Sequence, residues 1–137
     1  PNAPVVCCAD GSKPNELDML YTGADCASSS TTQDDGKWNC TGDTLAAPKV
    51  VVFATDDENP DASGARIYFS GSVLLGDFFT MTAANAGEDK FSSETFVHIF
   101  DLGGDLLQSI EFHTSCSQPL NIGDSFGSVE ILDCRSN

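Results

Sequence analysis

Apolar and polar residues alternate in short runs along most of the chain, and glycine, proline, aspartate and asparagine separate the runs. In the first run Leu17, Met19 and Tyr21 alternate with Asp18 and Leu20, which places every second side chain on one face of a strand. Helical spacing of apolar residues is scarce. The pattern therefore predicts an all-β protein: an antiparallel β-sandwich of jelly-roll or Ig-like type with about eight strands, stapled by disulfides.

Turn-forming residues bound the predicted strands. The strands span residues 17–22, 49–55, 66–75, 77–83, 95–101, 106–114 and 126–134. The continuous apolar run at 49–55 favours a strand buried on both faces. Gly71 predicts a break or bulge, and Leu75-Gly76-Asp77 predicts the turn of a meander. Leu102-Gly103-Gly104-Asp105 predicts a hairpin, because paired glycines tolerate the positive φ of tight turns.

Two long stretches lack the strand pattern and are predicted to be loops. Residues 24–45 are rich in serine, threonine, aspartate and glycine, and residues 56–65 contain Asp-Asp-Glu-Asn-Pro-Asp. We expect one domain over residues 1–137, in which residues 1–8 form an extended N-terminal segment. Its first six residues end in Val5 and Val6, and this segment is a candidate to pair with the sheet edge of a neighbouring molecule.

Net charge excludes two classes of partner. Asp and Glu total 21 against 6 Lys and Arg, so the formal charge is -15 at pH 7, which repels nucleic acid and anionic membrane surfaces. The longest apolar run is strand-sized and far from the ~18 residues that cross a bilayer. Because the sequence opens at Pro1 without a signal peptide, we expect a mature protein that is extracellular or at the cell surface.

The cysteines predict disulfides rather than a metal site. An even number in a short chain, without paired C-x-x-C motifs, is typical of secreted proteins. The adjacent Cys7 and Cys8 are expected to bond two different partners. The predicted bonds are Cys26 to Cys40, and Cys7 and Cys8 to Cys116 and Cys134 in an order left open. A bond from one vicinal cysteine to a neighbouring subunit is the alternative.

No catalytic site is predicted. Nucleophilic catalysis needs a histidine and an orienting acid, and the only two histidines, His98 and His113, fall inside predicted strands. A zinc site built from both would need carboxylates from neighbouring strands, and structural histidines are the more common interpretation. A glycosidase carboxylate pair would need a deep cleft, which a domain of this size seldom forms. We therefore expect no enzymatic activity.

Calcium is the one metal cofactor that the loops favour. Hard cations take oxygen ligands, and one loop crowds such ligands together, although without EF-hand spacing. The candidate ligands are Asp56, Asp57, Glu58, Asn59 and Asp61.

The other long loop offers two candidates for contact with carbohydrate. Asn39-Cys40-Thr41 fits the N-glycosylation sequon, which makes Asn39 a candidate glycan acceptor. Trp38, the single tryptophan, is a candidate ligand-binding ring, although a tryptophan in such a loop more often covers a disulfide.

Several stretches together resemble a known family. They read Leu-Asp-Met-Leu-Tyr-Thr-Gly-Ala-Asp-Cys at 17–26, Glu-Thr-Phe-Val-His-Ile-Phe at 94–100 and, most specifically, His-Thr-Ser-Cys-Ser-Gln-Pro at 113–119. These stretches are similar to an uncharacterised domain of secreted and cell-surface bacterial proteins that often occurs within larger, repetitive chains. The resemblance implies an extracellular adhesive or structural module and provides no active site to carry over.

Taken together, the sequence favours a non-enzymatic extracellular structural or adhesive module, such as the subunit of a surface filament or matrix assembly. Its expected partners are copies of itself or other surface proteins. The alternative is a calcium-assisted carbohydrate-binding module that uses the acidic loop and Trp38 to bind glycans.

Overall fold

Two antiparallel sheets form the protein in the computed structural model, which describes residues 7–8 and 11–136. The strands are β1 (Glu16–Tyr21), β2 (Asn39–Gly42), β3 (Lys49–Thr55), β4 (Ile67–Leu74), β5 (Phe78–Thr82), β6 (Glu94–Phe100), β7 (Leu106–His113), β8 (Ser125–Phe126) and β9 (Val129–Arg135). The four-stranded sheet has the order β5-β1-β9-β8, and the five-stranded sheet has the order β2-β7-β6-β3-β4. The predicted all-β sandwich is confirmed. The segment 1–6, a candidate to pair with a neighbouring molecule, lies outside the described residues.

A single hydrophobic core lies between the sheets. In β1 the alternation seen in the sequence buries Leu17, Met19 and Tyr21 completely. They join one cluster with inward side chains of the opposite sheet, such as Val52 and Ile110. Each buried side chain of this size contributes roughly 1.5–3 kcal/mol relative to an exposed one. The period-two pattern thus specifies both the strands and the faces they bury.

Burial of β3 on both faces, as predicted, is wrong. Val50 and Val52 are fully buried against the core, whereas Val51 and Phe53 are only half-buried on the outer face. Because a sandwich has its core between the sheets, Val51 and Phe53 on the outer face keep partial contact with solvent. Phe53 covers part of this face by packing edge-to-face with Phe100, with ring centroids 5.8 Å apart.

The predicted meander of β4 and β5 is also wrong, because these strands belong to different sheets. The turn at Leu75 and Gly76 carries the chain across the sandwich. The N–H of Gly76 donates to the carbonyl of Tyr21 at 3.0 Å, which begins the pairing of β5 beside β1. Gly71 causes no break, since it pairs in register with Val52.

The predicted hairpin of β6 and β7 is confirmed. Of its two glycines only Gly104 adopts a positive φ, of 92°. The predicted last strand is in fact two strands, β8 and β9, joined by a tight turn at Gly127 and Ser128. The predicted loop 24–45 contains the short edge strand β2, which pairs with β7.

All six cysteines form disulfides within the chain, which contradicts the alternative of a bond to a neighbouring subunit. The bonds are Cys7–Cys134, Cys8–Cys116 and Cys26–Cys40. The first two fasten the segment before β1 to β9 and to the loop after β7, while the third anchors β2. Three disulfides indicate an oxidising, extracellular-type environment. In the described part of the chain, no helix has the length and hydrophobicity needed to span a membrane.

Candidate functional site

The outer face of the five-stranded sheet carries a set of metal-ligating side chains. Glu94, at the start of β6, lies directly opposite His113, at the end of β7. Glu111 precedes His113 by two residues and therefore shares its face. The ligand atoms of these three side chains all lie within 4.8 Å of one another. Glu94 is exposed, whereas Glu111 and His113 are half-buried. We call these three residues the outer-face cluster.

Negative charge accumulates in the outer-face cluster. Burial raises the pKa of Glu111, and the nearby Glu94 carboxylate raises it further, while His113 opposes the rise. Among the described residues, no lysine or arginine forms an ion pair with Glu94 or Glu111. The two carboxylates therefore lie close together without a basic side chain to neutralise them.

A small cleft opens beside the outer-face cluster. Its volume is about 120 Å³, and its walls include Asn39, Glu58, Phe96 and Glu111. Asn39 comes from β2 and Glu58 from the acidic loop, so the sequence candidates for glycosylation and for metal binding meet at one place. Typical small-molecule sites measure ~300–1,000 Å³, so this cleft has room for water or an ion rather than for a sugar ring.

His98 has a structural role, in contrast to His113. It is fully buried, its Nδ1 lies 3.0 Å from the Ser109 Oγ, and its Nε2 lies 2.9 Å from the carbonyl oxygen of Asp57. Burial lowers the pKa of His98, which favours the neutral ring. Because His98 lies opposite Ser109 and His113 opposite Glu94, the two histidines do not form a common zinc site.

The side chains of the acidic loop mostly bond within the loop and to its neighbours. Asp56 accepts hydrogen bonds from the backbone N–H of Arg66 at 2.8 Å and from its guanidinium at 3.3 Å. Asp57 accepts from the N–H of Asn59, and Asn59 accepts from the N–H of Asp61, both at 2.9 Å. In the described residues, no three carboxylates of this loop gather around one point. The calcium site remains a prediction, and the side chains proposed as its ligands do not point to one common position.

Trp38 and Asn39, adjacent in the sequence, face opposite sides of the sheet. Trp38 is half-buried against the core and packs edge-to-face on Phe126, with ring centroids 6.0 Å apart. This packing leaves little of the ring for a ligand. Asn39 is exposed on the outer face at the cleft, where a glycan would project beside Glu111.

One motif typical of hydrolases is present in a different structural setting. Residues 123–127 read Gly-Asp-Ser-Phe-Gly, the spacing of the nucleophile elbow, which requires a strand, a sharp turn and a helix. Here Ser125 begins the short strand β8, and its Oγ accepts a hydrogen bond from the N–H of Ser30 at 3.0 Å. Among the described contacts, neither histidine bonds to Ser125. The motif therefore does not form a catalytic triad.

One end of the sandwich has an apolar surface. Of the eight exposed large hydrophobic side chains in the described part of the chain, six belong to the loops and strand ends at this end. They are Leu45, Leu74, Leu75, Phe78, Leu102 and Leu106, which we call the apolar end. The strand register places them at the same end of the molecule. Leu74, at the end of β4, lies opposite Lys49 at the start of β3, and Val51 of β3 lies opposite Phe100 at the base of the β6–β7 turn.

The most exposed residue of the apolar end lies in a strained turn. Leu45 is 85 % exposed and has a φ of 51°, and the next residue, Ala46, has a φ of 53°. The N–H of Ala47 donates to the carbonyl of Thr44 at 3.0 Å and closes the turn. Residues with a Cβ rarely adopt this left-handed conformation, which asparagine and glycine usually supply.

Sequence reasoning missed the outer-face cluster, although the register of the predicted hairpin contains it. If Asp101 and Leu106 flank a four-residue turn, counting outwards along both strands places Glu94 opposite His113. Glu111 lies two residues before His113 in the same strand, so its side chain is on the same face. The apolar end had no comparable pattern, because its members come from separate turns.

Comparison with known protein families gives a match over most of the chain. Residues 13–134 match the family described as Domain of unknown function (DUF7467). Neither the curated proteins nor the solved structures provide a match to the chain. The match covers all nine strands apart from Arg135, the last residue of β9, so it describes the whole sandwich.

Proposed function

The chain belongs to the DUF7467 family, and we propose that it is a non-enzymatic extracellular module with a structural or adhesive role, in which the apolar end binds other molecules. The bacterial secreted or cell-surface setting implied by its resemblance is part of the same proposal. The apolar end is the observation that carries it. Soluble proteins rarely expose contiguous apolar patches, and those that occur commonly mark interaction sites.

The conformation of Leu45 supports a role in binding. A left-handed residue with a large apolar side chain costs about 1–2 kcal/mol relative to the right-handed form. Backbone strain of this kind is typical of functional positions, because selection for stability alone would remove it. Leu45 is also the most exposed large hydrophobic side chain of the described chain.

A second copy of the chain is the partner we propose for the apolar end. Identical apolar patches are self-complementary in a twofold interface, the most common arrangement in homo-oligomers. Asp43, Asp77, Asp101 and Asp105 lie close in sequence to members of the apolar end, where Lys49 is a basic side chain, and would approach their counterparts in the second copy. Because salt screens this repulsion while the apolar contact persists, association should increase with ionic strength.

Calcium-assisted carbohydrate binding has less support. Trp38 packs on Phe126, and the loop carboxylates make local bonds instead of converging. The larger of the two main clefts, about 380 Å³, is lined by Glu16, Glu88, Asp89 and Lys90 and contains no aromatic ring on which a sugar could stack.

Sedimentation velocity tests the proposal. The unmodified protein is expected to form dimers or larger assemblies in a concentration-dependent manner, more strongly at 1 M than at 0.1 M salt. Leu75→Ser combined with Phe78→Ser should shift it to monomer. The matched control is Ile67→Ser with Leu132→Ser, which removes exposed apolar side chains elsewhere.

Two results would contradict the proposal. One is an unmodified protein that stays monomeric at millimolar concentration in both salts. The other is an assembly that the apolar-end variant leaves intact. Electron microscopy of the native particle provides a direct view of any filament or sheet.

A further inference from the structure

Acidic side chains cluster at three places on the described surface, and arginine neutralises two of them. Arg135 bonds three carboxylates on β1 and β9 at 2.8–3.2 Å. Arg66 joins Asp56 to Glu88 at 3.3 and 2.7 Å. In the outer-face cluster an imidazole takes the place that arginine has elsewhere. Imidazole and carboxylate groups are both ligands that zinc accepts in proteins.

The three side chains of the outer-face cluster have free ligand atoms. Within the described chain, neither the carboxylates of Glu94 and Glu111 nor the ring of His113 forms a hydrogen bond. His98, by comparison, uses both ring nitrogens. Because none of these atoms is fully enclosed, solvent or an incoming ion can reach them.

The backbone beneath the outer-face cluster is held rigidly. The buried side chain of Gln33 bonds both backbone groups of His113, accepting from its N–H at 3.2 Å and donating to its carbonyl at 2.6 Å. The N–H of Thr114 donates to the carbonyl of Ser93 at 2.9 Å, which fixes the strand ends next to His113 and Glu94. Ligands on braced strands are suited to metal binding, because little order is lost when the ion arrives.

We propose that Glu94, Glu111 and His113 bind a divalent transition-metal ion of the zinc type. Two carboxylates neutralise the charge of the ion, and the imidazole nitrogen favours zinc over calcium or magnesium, which prefer oxygen ligands. Three protein ligands leave a fourth position, which water would fill. Of the three ligands, Glu111 also lines the cleft, where the Glu58 carboxylate adds negative charge.

Small side-chain movements suffice to close the site. Bonds of about 2.0–2.2 Å to a tetrahedral ion place its ligands about 3.5 Å apart, against separations of at most 4.8 Å here. Glu94 is exposed and free to rotate by the required ångström or so. Glu111 and His113, which are more buried, then define where the ion lies.

Isothermal titration of zinc chloride into chelator-treated protein tests the proposal, with all disulfides intact. We expect one equivalent of zinc to bind in the micromolar range and calcium not to compete at millimolar concentration. Glu111→Gln and His113→Gln should each weaken zinc affinity at least about tenfold, and Glu94→Gln should do so as well. Glu130→Gln, an acidic side chain on the other sheet, is the matched control and should bind zinc normally.

Cobalt substitution provides a second measurement that does not depend on the variants. Cobalt(II) in a tetrahedral site with one nitrogen and several oxygen ligands absorbs visible light strongly, and the absorption should disappear in His113→Gln. Absence of zinc binding below millimolar concentration, or binding that the three ligand substitutions leave unchanged, would overturn the proposal. The metal site is independent of the apolar end, so Glu111→Gln should leave self-association unaltered.

Discussion

The Nε2 of His98 lies 2.9 Å from the backbone carbonyl oxygen of Asp57, and this contact holds the acidic loop over the outer face of β6. A carbonyl oxygen only accepts, so Nε2 carries the proton. Burial lowers the pKa of His98 and so disfavours a second ring proton, which leaves Nδ1 to accept from the hydroxyl of Ser109, at 3.0 Å. The ring is therefore neutral, in one defined tautomer, and fully buried.

Acid should destabilise the fold through His98. Burial lowers its pKa in the folded state, so the unfolded chain takes up this proton at higher pH than the folded chain does. The stabilising contribution is complete above the ordinary histidine pKa of about 6.5 and is lost as the pH falls below it. The urea midpoints of unfolding of the unmodified protein and of His98→Gln should be measured from pH 8 to 5. The difference between the two midpoints should become smaller as the pH falls.

The control for this titration is His113→Gln, which should lose stability at low pH in the same way as the unmodified protein. Carboxylates titrate in all three proteins, so the difference between the curves is the quantity to compare. Parallel curves for His98→Gln and the unmodified protein would contradict the assignment.

Arg135 should be the most important surface cation. It bonds both oxygens of Asp18, at 2.9 and 3.1 Å, and also bonds Glu16 and Asp133. Arg135→Met leaves three carboxylates facing one another between β1 and β9, so the free energy of unfolding should fall by about 1–2 kcal/mol at pH 7.

The effect of Arg135→Met should depend on pH. Hydrogen bonding to Arg135 lowers the pKa of Asp18, so this contribution is present above the ordinary aspartate pKa of about 3.9 and is lost as the pH falls through the lowered value. The difference from the unmodified protein should therefore shrink near pH 3. Arg66→Met, which removes a more exposed arginine, should cost less. An equal loss from both substitutions would refute the importance of the Arg135 network.

Removal of Cys26–Cys40 should loosen β2 and leave the sandwich folded. The bond spans 14 residues, for which chain entropy predicts a stabilisation of about 3 kcal/mol. Because Cys8–Cys116 stays in place, Cys7–Cys134 closes an additional loop of only about 20 residues, for which the same relation also predicts about 3 kcal/mol. Guanidinium denaturation of the two paired alanine variants should therefore show similar losses of stability, and hydrogen exchange should show faster amide exchange in β2 for the first variant. A much larger loss for the Cys7 and Cys134 variant would show that the two bonds of the N-terminal segment act independently.

Replacement of Ala46 by glycine should stabilise the protein. With a φ of 53°, Ala46 is in a region that glycine occupies without steric cost, so the expected gain is about 0.5–1 kcal/mol. Ala47→Gly is the control and should be neutral or destabilising, because Ala47 has no positive φ. Thermal unfolding checks both variants. A lower melting temperature for Ala46→Gly would contradict the strain in this turn.

The local pattern of apolar and polar residues was sufficient to predict the strands that bury one face completely. Leu17, Met19 and Tyr21 alternate without exception, and β1 follows them within one residue at each end. β2 lacks that pattern because it is an edge strand: Asn39 and Thr41 face solvent, and Cys40 alone packs against the core. Its position depends on pairing with β7 and on the disulfide to Cys26, neither of which appears in local composition.

Nonlocal pairing explains the other differences. The Leu75-Gly76-Asp77 turn has the composition of a hairpin, but β5 pairs with β1, more than fifty residues away, so the chain changes sheets. The pairing of Cys7 with Cys134 and of Cys8 with Cys116 likewise depends on which part of the folded chain lies next to each cysteine. The residues of a turn indicate that the chain changes direction there. They do not indicate which strand the following segment pairs with.

The bond between Cys7 and Cys134 also determines how the molecule carries mechanical load. A force applied to the chain outside these two residues passes through one covalent bridge and bypasses the strands between them. While the bridge is intact, the fold is shielded from tension. Reduction of all three disulfides releases the 127 residues between Cys7 and Cys134, about 430 Å of extended chain, as slack under load. The domain thus behaves as an inextensible link in an oxidising medium and as a long extensible one after reduction.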